Sequence, residues 1–361
     1  MTFDAVAHGR ENNLNLLRMV AASMVLFSHS YALTGHIADE PLGVLSGGYT
    51  DVATIGVVVF FGISGFLIAQ SLARAASLYR YAVGRALRIV PGLLLAKLFC
   101  VVVIGWLATT LASGAYWRHA DTWRFLVATP FFGVRDRLPG VFATLPYPLA
   151  VNGSLWTIPV EVWCYCIAAL IAAGTIMRRG WLYAALSLAA LAGYATFPQI
   201  AKEWMPSDGY GTIPGLILSF FAGAWLHAAR RVIPVSLPVA AVAALLTILA
   251  GRVPTIAGFW YYVCIPYVAL VLAYHPRLLW RAYLRVGDYS YGTYLLAFPV
   301  QQFLIWQLGL AQPLALFALA LLVTVPLAML SWHNVEGPAL ALKDRVAAYR
   351  PRVRGAAGKS G

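Results

Sequence analysis

Arg18 and His29 stand eleven residues apart inside one apolar stretch, Leu14–Leu33. Eleven residues make about three helical turns, so the two side chains share a helix face, about 16 Å apart along the axis. A stretch of 20 residues is long enough to cross a bilayer, where an ionisable side chain is costly unless it faces protein or water. A guanidinium grips phosphate through forked hydrogen bonds, and an imidazole that titrates near neutrality suits general-base work on a hydroxyl. Singly, Arg18 reads as a residue snorkelling to headgroups and His29 as a hydrogen-bonded packing residue. Together on one face they point to a polar path with an anion-holding group at one depth and a proton acceptor at another.

Three further groups belong with them. Glu161 is the one acidic residue well inside an apolar span, and a carboxylate at that depth needs a partner. His29 and Arg18 are the candidates, with Glu161 orienting the imidazole as the third member of a triad does. Phe60-Phe61-Gly62-Ile63-Ser64-Gly65-Phe66 places a hydroxyl between two glycines within a span. Its glycines serve either close helix packing or a backbone turn that lines a channel with Ser64 and Gly65. Arg85 and Arg88 are three apart on one face and suit the phosphates of a nucleotide-bearing donor, although positively charged cytoplasmic loops supply arginines here in any case.

These groups need a scaffold, and composition names its class. Of 361 residues 61% are hydrophobic and only 11% charged, which predicts an all-α, polytopic transmembrane helical bundle. Apolar stretches long enough to cross a bilayer cover about 14–34, 52–72, 89–112, 155–174, 181–197, 212–228, 234–250, 256–274, 287–308 and 313–332. With the N-terminus in the cytoplasm, 18 Lys and Arg fall in cytoplasmic segments and 6 on the far side. That bias predicts ten spans with both termini cytoplasmic. The net charge of +13 is spread between spans rather than along one face, so nucleic-acid binding is not expected. Cys100, Cys164, Cys166 and Cys264 all lie in apolar stretches, and neither a disulfide framework nor a metal site is expected.

Residues 1–12 read as a short cytoplasmic segment, 13–340 as the membrane domain, and 341–361 as a basic, disordered cytoplasmic tail. The first stretch is too long, and too polar at Arg18 and His29, for a cleaved signal peptide. The outer stretch 113–154, with its aromatics, prolines and mixed charges, reads as a lid or substrate-binding loop.

In this order the pieces resemble the acyltransferase-3 family of integral-membrane acyltransferases that modify exported glycans. The resemblance runs from Asn12 to Pro338. It rests on Asn12-Asn13-Leu14-Asn15-Leu16-Leu17-Arg18 with His29, on Phe60 to Ile68, on Arg85-Ala86-Leu87-Arg88-Ile89-Val90-Pro91 and on Ser154-Leu155-Trp156-Thr157-Ile158-Pro159-Val160-Glu161. It continues through Gly287 to Leu296 and Glu336-Gly337-Pro338. The resemblance implies a ten-helix bacterial inner-membrane enzyme. Such an enzyme moves an acyl group, commonly acetyl, from cytoplasmic acyl-CoA to a hydroxyl of a glycan or lipid-linked sugar. It also implies His29, Arg18 and Glu161 as catalytic residues, and Arg85, Arg88, Ser64 and Gly65 as donor-binding ones. Two positions depart from the pattern: Asn15 stands where many members have Asp, and Ala297 where many have His. The chain stops soon after its tenth span, so transfer is expected to be completed alone or with separate glycan-assembly partners. The rival reading is a transporter of a glycan or small solute, with Arg18, His29 and Glu161 as binding site or proton relay.

Overall fold

The structure, a computed structural model, describes all residues except 8, 10, 76, 128–134, 174–212, 251–253, 344 and 346–361. The described residues are helical with no strands. The principal helices are α1 (Leu14–Leu33), α2 (Val52–Arg74), α3 (Leu78–Leu98), α4 (Thr157–Ala173), α5 (Ile213–Ala228), α6 (Leu237–Ala250), α7 (Pro254–Tyr274), α8 (Ser290–Leu308) and α9 (Pro313–Ser331). They fall on nine of the ten expected spans; the span at 181–197 lies outside the described residues. Five are long and apolar enough to cross a membrane: α1, α2, α3 with its continuation to Ala108, α4 with its lead-in from Gly153, and α9 with its continuation to Ala341.

Local chemistry sets the ends that matter for the site. Asp51 caps α2, its Oδ1 accepting from Thr54 N at 2.6 Å, and Ser77 caps α3, accepting from Arg80 N at 3.2 Å. The cap at Ser77 starts α3 eleven residues before the expected boundary at 89, so Arg80, Arg85 and Arg88 ride on the helix itself. Past Leu98 the helix widens into a π segment, Phe99–Gly105, and the buried Tyr116 hydroxyl donates to Val101 O at 2.9 Å. Asn13 ties the start of α1 to the α7–α8 connection, its Nδ2 donating to Leu278 O at 2.8 Å while Trp280 N donates to its Oδ1 at 3.0 Å.

Helix α2 is the hub, packed against α1, α5 and α7, with its most extensive contact on α5. Glycines let these helices touch. A Cβ at Gly65 would stand 1.8 Å from Phe220 O, and one at Gly223 2.0 Å from Gly62 O, so the two backbones interlock across the crossing. Helix α2 runs unbroken through Gly62 and Gly65. Of the two uses expected for these glycines, close packing is the one observed. The outer stretch carries two short helices, Ser113–Arg118 and Ala120–Val127. Its later part lies on α8, where Gln302 Nε2 donates to Tyr147 O and Ala150 O at 2.8 and 2.9 Å.

Candidate active site

Arg18, from the first turns of α1, and Arg88, from the middle of α3, meet at one carboxylate. Arg18 Nη1 and Arg88 Nη2 each lie 2.5 Å from Asp288 Oδ2. Ser290 Oγ donates to the other oxygen, also at 2.5 Å. All three charged side chains are largely buried, so their charges must be balanced within the protein. The remaining faces of the guanidiniums lie against rings: Arg18 is 6.0 Å from the Phe60 centroid, and Arg88 5.5 Å from Tyr291 and 6.0 Å from Trp332.

One turn before Arg88, Arg85 sits between the rings of Tyr81 and Tyr165, 5.9 Å from each. Its buried Nε has no hydrogen-bond partner among the described residues. Glu161, near the start of α4, accepts from Ser64 Oγ of α2 at 3.2 Å and from the Tyr165 hydroxyl through a short bond. Ser64 Oγ and Tyr165 OH are themselves 3.0 Å apart. Hydroxyl, phenol and carboxylate thus form a closed triangle between α2 and α4.

Arg18, Ser64, Arg85, Arg88 and Glu161 all line one cavity, walled by Phe60, Tyr291 and Tyr294 among others. Three guanidiniums and one carboxylate line it, and with Arg18 and Arg88 sharing Asp288 the balance still favours an anionic guest beside Arg85. The apolar and aromatic remainder suits a slender acyl or thioester chain.

His29 and Gly65 are placed differently. Gly65 faces α5, because successive residues on a helix point about 100° apart and Ser64 takes the cavity side. His29 is not among the residues that line the cavity. Its ring meets Phe298 edge-on at 5.3 Å, and its buried Nδ1 has no hydrogen-bond partner among the described residues. No hydrogen bond or ion pair links His29 to Glu161, contrary to the pairing expected from sequence. Depth explains this. Ala53 N donates to Ser28 Oγ at 2.9 Å, which fixes His29 level with the start of α2. Ser64, which holds Glu161, is eleven residues further along α2, or about 16 Å deeper. Phe298 stands one turn beyond the cavity residue Tyr294 on α8, between the imidazole's level and that of the cavity.

The sequence from residue 11 to residue 333 matches the family model described as an acyltransferase domain. The chain belongs to the acyltransferase-3 family. It is 30% identical over 335 residues to an O-acetyl transferase of Shigella phage Sf6, an alignment covering 91% of this chain and 95% of that protein. It is also 28% identical over 388 aligned positions to Nodulation protein 10 of Rhizobium leguminosarum bv. viciae, covering 96% and 97%. No solved structure matches. With its apolar helices, membership makes the chain a membrane acyltransferase.

Two residues of this acyltransferase carry more than sequence reading gave them. Asp288 organises Arg18 and Arg88; it opens the stretch 287–308 directly after a run of arginines, and an acid at the mouth of a span was the available signal. Glu40 reads as an acidic loop residue yet is fully buried. It accepts from Ser28 Oγ at 3.0 Å, Val52 N at 3.1 Å and Gly43 N at 2.5 Å, fixing the C-terminal end of α1 beside His29. Its local sequence, an acid before Pro41, signals only the helix cap made with Gly43 N, and not the burial or the reach to Ser28 and Val52. Among the described residues no cluster of His, Cys, Asp and Glu could hold a metal ion.

Proposed function

We propose that this acyltransferase moves an acyl group, most simply acetyl, from cytoplasmic acyl-CoA to a hydroxyl of an exported glycan or lipid-linked sugar in a bacterial inner membrane. The observation that carries the reading is the cavity in which Arg18, Arg85 and Arg88 face the Glu161–Ser64–Tyr165 triangle. Arg85, with its unpartnered Nε, is the guanidinium best disposed to take a phosphate oxygen. Arg18 and Arg88, held by Asp288, supply fixed positive potential that draws the anionic donor into the cavity, from which its thioester end must extend towards His29. Arginine bias puts the Arg85 end in the cytoplasm and the His29 end outside. His29 then meets the acceptor, with its unpartnered Nδ1 available for a proton.

The balance is the same by either chemical route. The acyl C–O bond forms, the C–S bond breaks, and the hydroxyl proton ends on the CoA thiol. In direct transfer His29 takes that proton as the hydroxyl attacks. In the two-step route the imidazole first carries the acyl group and hydroxyl attack then releases it. The names of the relatives support the acetyl reading: one is an O-acetyl transferase.

Purified protein with acetyl-CoA and a sugar acceptor tests the proposal through release of free CoA thiol. Acceptor-dependent release is expected. Solute movement with no thioester cleavage would overturn the reading in favour of transport.

A further inference from the structure

One aromatic side chain stands between the cavity and His29. Phe298 is buried and follows the cavity residue Tyr294 by one turn of α8. Its ring meets the His29 ring edge-on at 5.3 Å and the Tyr147 ring at 6.1 Å. Gly153 backs it closely, since a Cβ there would stand 2.7 Å from Phe298 Cε2. The next residue, Pro299, has no N–H to give to Leu295 O, and Asn152 Nδ2 donates to that carbonyl instead at 2.9 Å. Ring and helix break are thus both held by the outer stretch. That stretch is strained where it covers the ring. Phe142 and Leu149 adopt left-handed backbone, with φ of 56° and 68°, a conformation costly for bulky side chains. Leu149 N donates to Phe142 O at 3.0 Å, closing the loop that carries Tyr147. The strain raises the closed loop in energy relative to an open one.

We propose that Phe298, with the 142–149 loop over it, is a seal that selects which hydroxyl receives the acyl group, keeping water from the thioester until a sugar occupies the outer side. The inference rests on the acyl-CoA reading above and adds selectivity to it. Water is the competing acceptor. Its oxygen would bond to the acyl carbon, the C–S bond would break and one water proton would end on the thiol, leaving a carboxylic acid. The half-buried His29, whose Nδ1 has no partner among the described residues, can serve water as readily as a sugar hydroxyl. Discrimination must therefore come from access, and Phe298 lies on the path between thioester and imidazole.

Release of CoA thiol by the detergent-solubilised full chain, with acetyl-CoA as the only substrate, tests the seal. The original protein should release thiol slowly, and Phe298→Ala at least about tenfold faster. Phe298→Leu disturbs packing less, should fall between the two, and decides the matter if the alanine variant does not fold. Combining Phe298→Ala with His29→Ala should restore the slow rate, which general loosening of the fold would not do. Phe317→Ala removes a ring that packs on Phe27, on the opposite side of α1 from His29, and should leave the rate unchanged. A slow rate in the folded Phe298 variants, a fast rate that survives loss of His29, or equal leakage from Phe317→Ala overturns the seal while leaving the donor reading intact. No thiol release by any of these proteins, even with surface glycan from cells carrying the protein added as acceptor, overturns both.

Discussion

Arg18 and Arg88 share a single carboxylate oxygen, Asp288 Oδ2, at 2.5 Å each. Helices α1 and α3 are thereby fixed to the start of α8, and two guanidiniums that would repel each other are held side by side at the cavity wall. Asp288→Asn removes the one carboxylate that both buried cations contact, a change that costs on the order of 3–5 kcal/mol. The variant should lose thermal stability in detergent and lose transfer, whereas Asp288→Glu should recover part of both. Melting by intrinsic fluorescence, followed alongside acyl transfer, checks this; an Asp288→Asn protein as stable and active as the original would contradict it.

The Glu161–Ser64–Tyr165 triangle gives a separable prediction. Tyr165→Phe removes the phenol donor but keeps the ring under Arg85. A hydrogen bond to a charged group is worth about 1.5–3 kcal/mol, so transfer should slow by roughly ten- to a hundredfold if the bond matters most in the transition state. Stability should change little, because Ser64 still donates to Glu161. Steady-state rates of CoA release read the effect.

Ser64 and Gly65 are neighbours with opposite tasks. Gly65→Ala drives a methyl group into Phe220 O and should force α2 and α5 apart, a strain of at least about 1–3 kcal/mol. Expression and melting temperature should fall. Ser64→Ala, on the cavity side, should leave melting nearly unchanged and lower activity.

A pH-dependent effect is expected in the outer stretch. The hydrogen bond from Arg124, with Arg135 beside it, holds the Asp121 carboxyl below the usual carboxylate range. Because the folded-state value is depressed, the contribution is present above the ordinary carboxylate pKa and is lost as pH falls through the folded one. The cluster is solvent-exposed, so the effect is small and weakened by salt. Hydrogen exchange over 120–127 should quicken in acid, and Asp121→Asn should remove that dependence.

Much of this was legible in the sequence because membranes punish exceptions. Continuous apolar stretches gave the helices, charges inside them singled out Arg18 and Glu161, and spacing just before the third stretch singled out Arg85 and Arg88; the fold gathers all four around one cavity. Pairings were not legible. Sequence offers both His29 and Arg18 as partners for Glu161, and the stagger of the helices, which no local signal fixes, leaves Glu161 about 16 Å deeper than His29. Asp288 went unassigned because its partners lie 270 and 200 residues away. Gly65 shows the limit of motif reading: adjacent residues of one motif face different helices.

His29 carries the central claim, since it alone among the expected catalytic groups stands on the outer side of the cavity, beside Phe298. The direct measurement is mass spectrometry of surface glycans from cells carrying either the original protein or a His29→Ala variant inserted in the membrane to the same level. The mass increment of one acyl group should appear with the original and be absent with the variant. Near-normal acylation by His29→Ala would contradict the account.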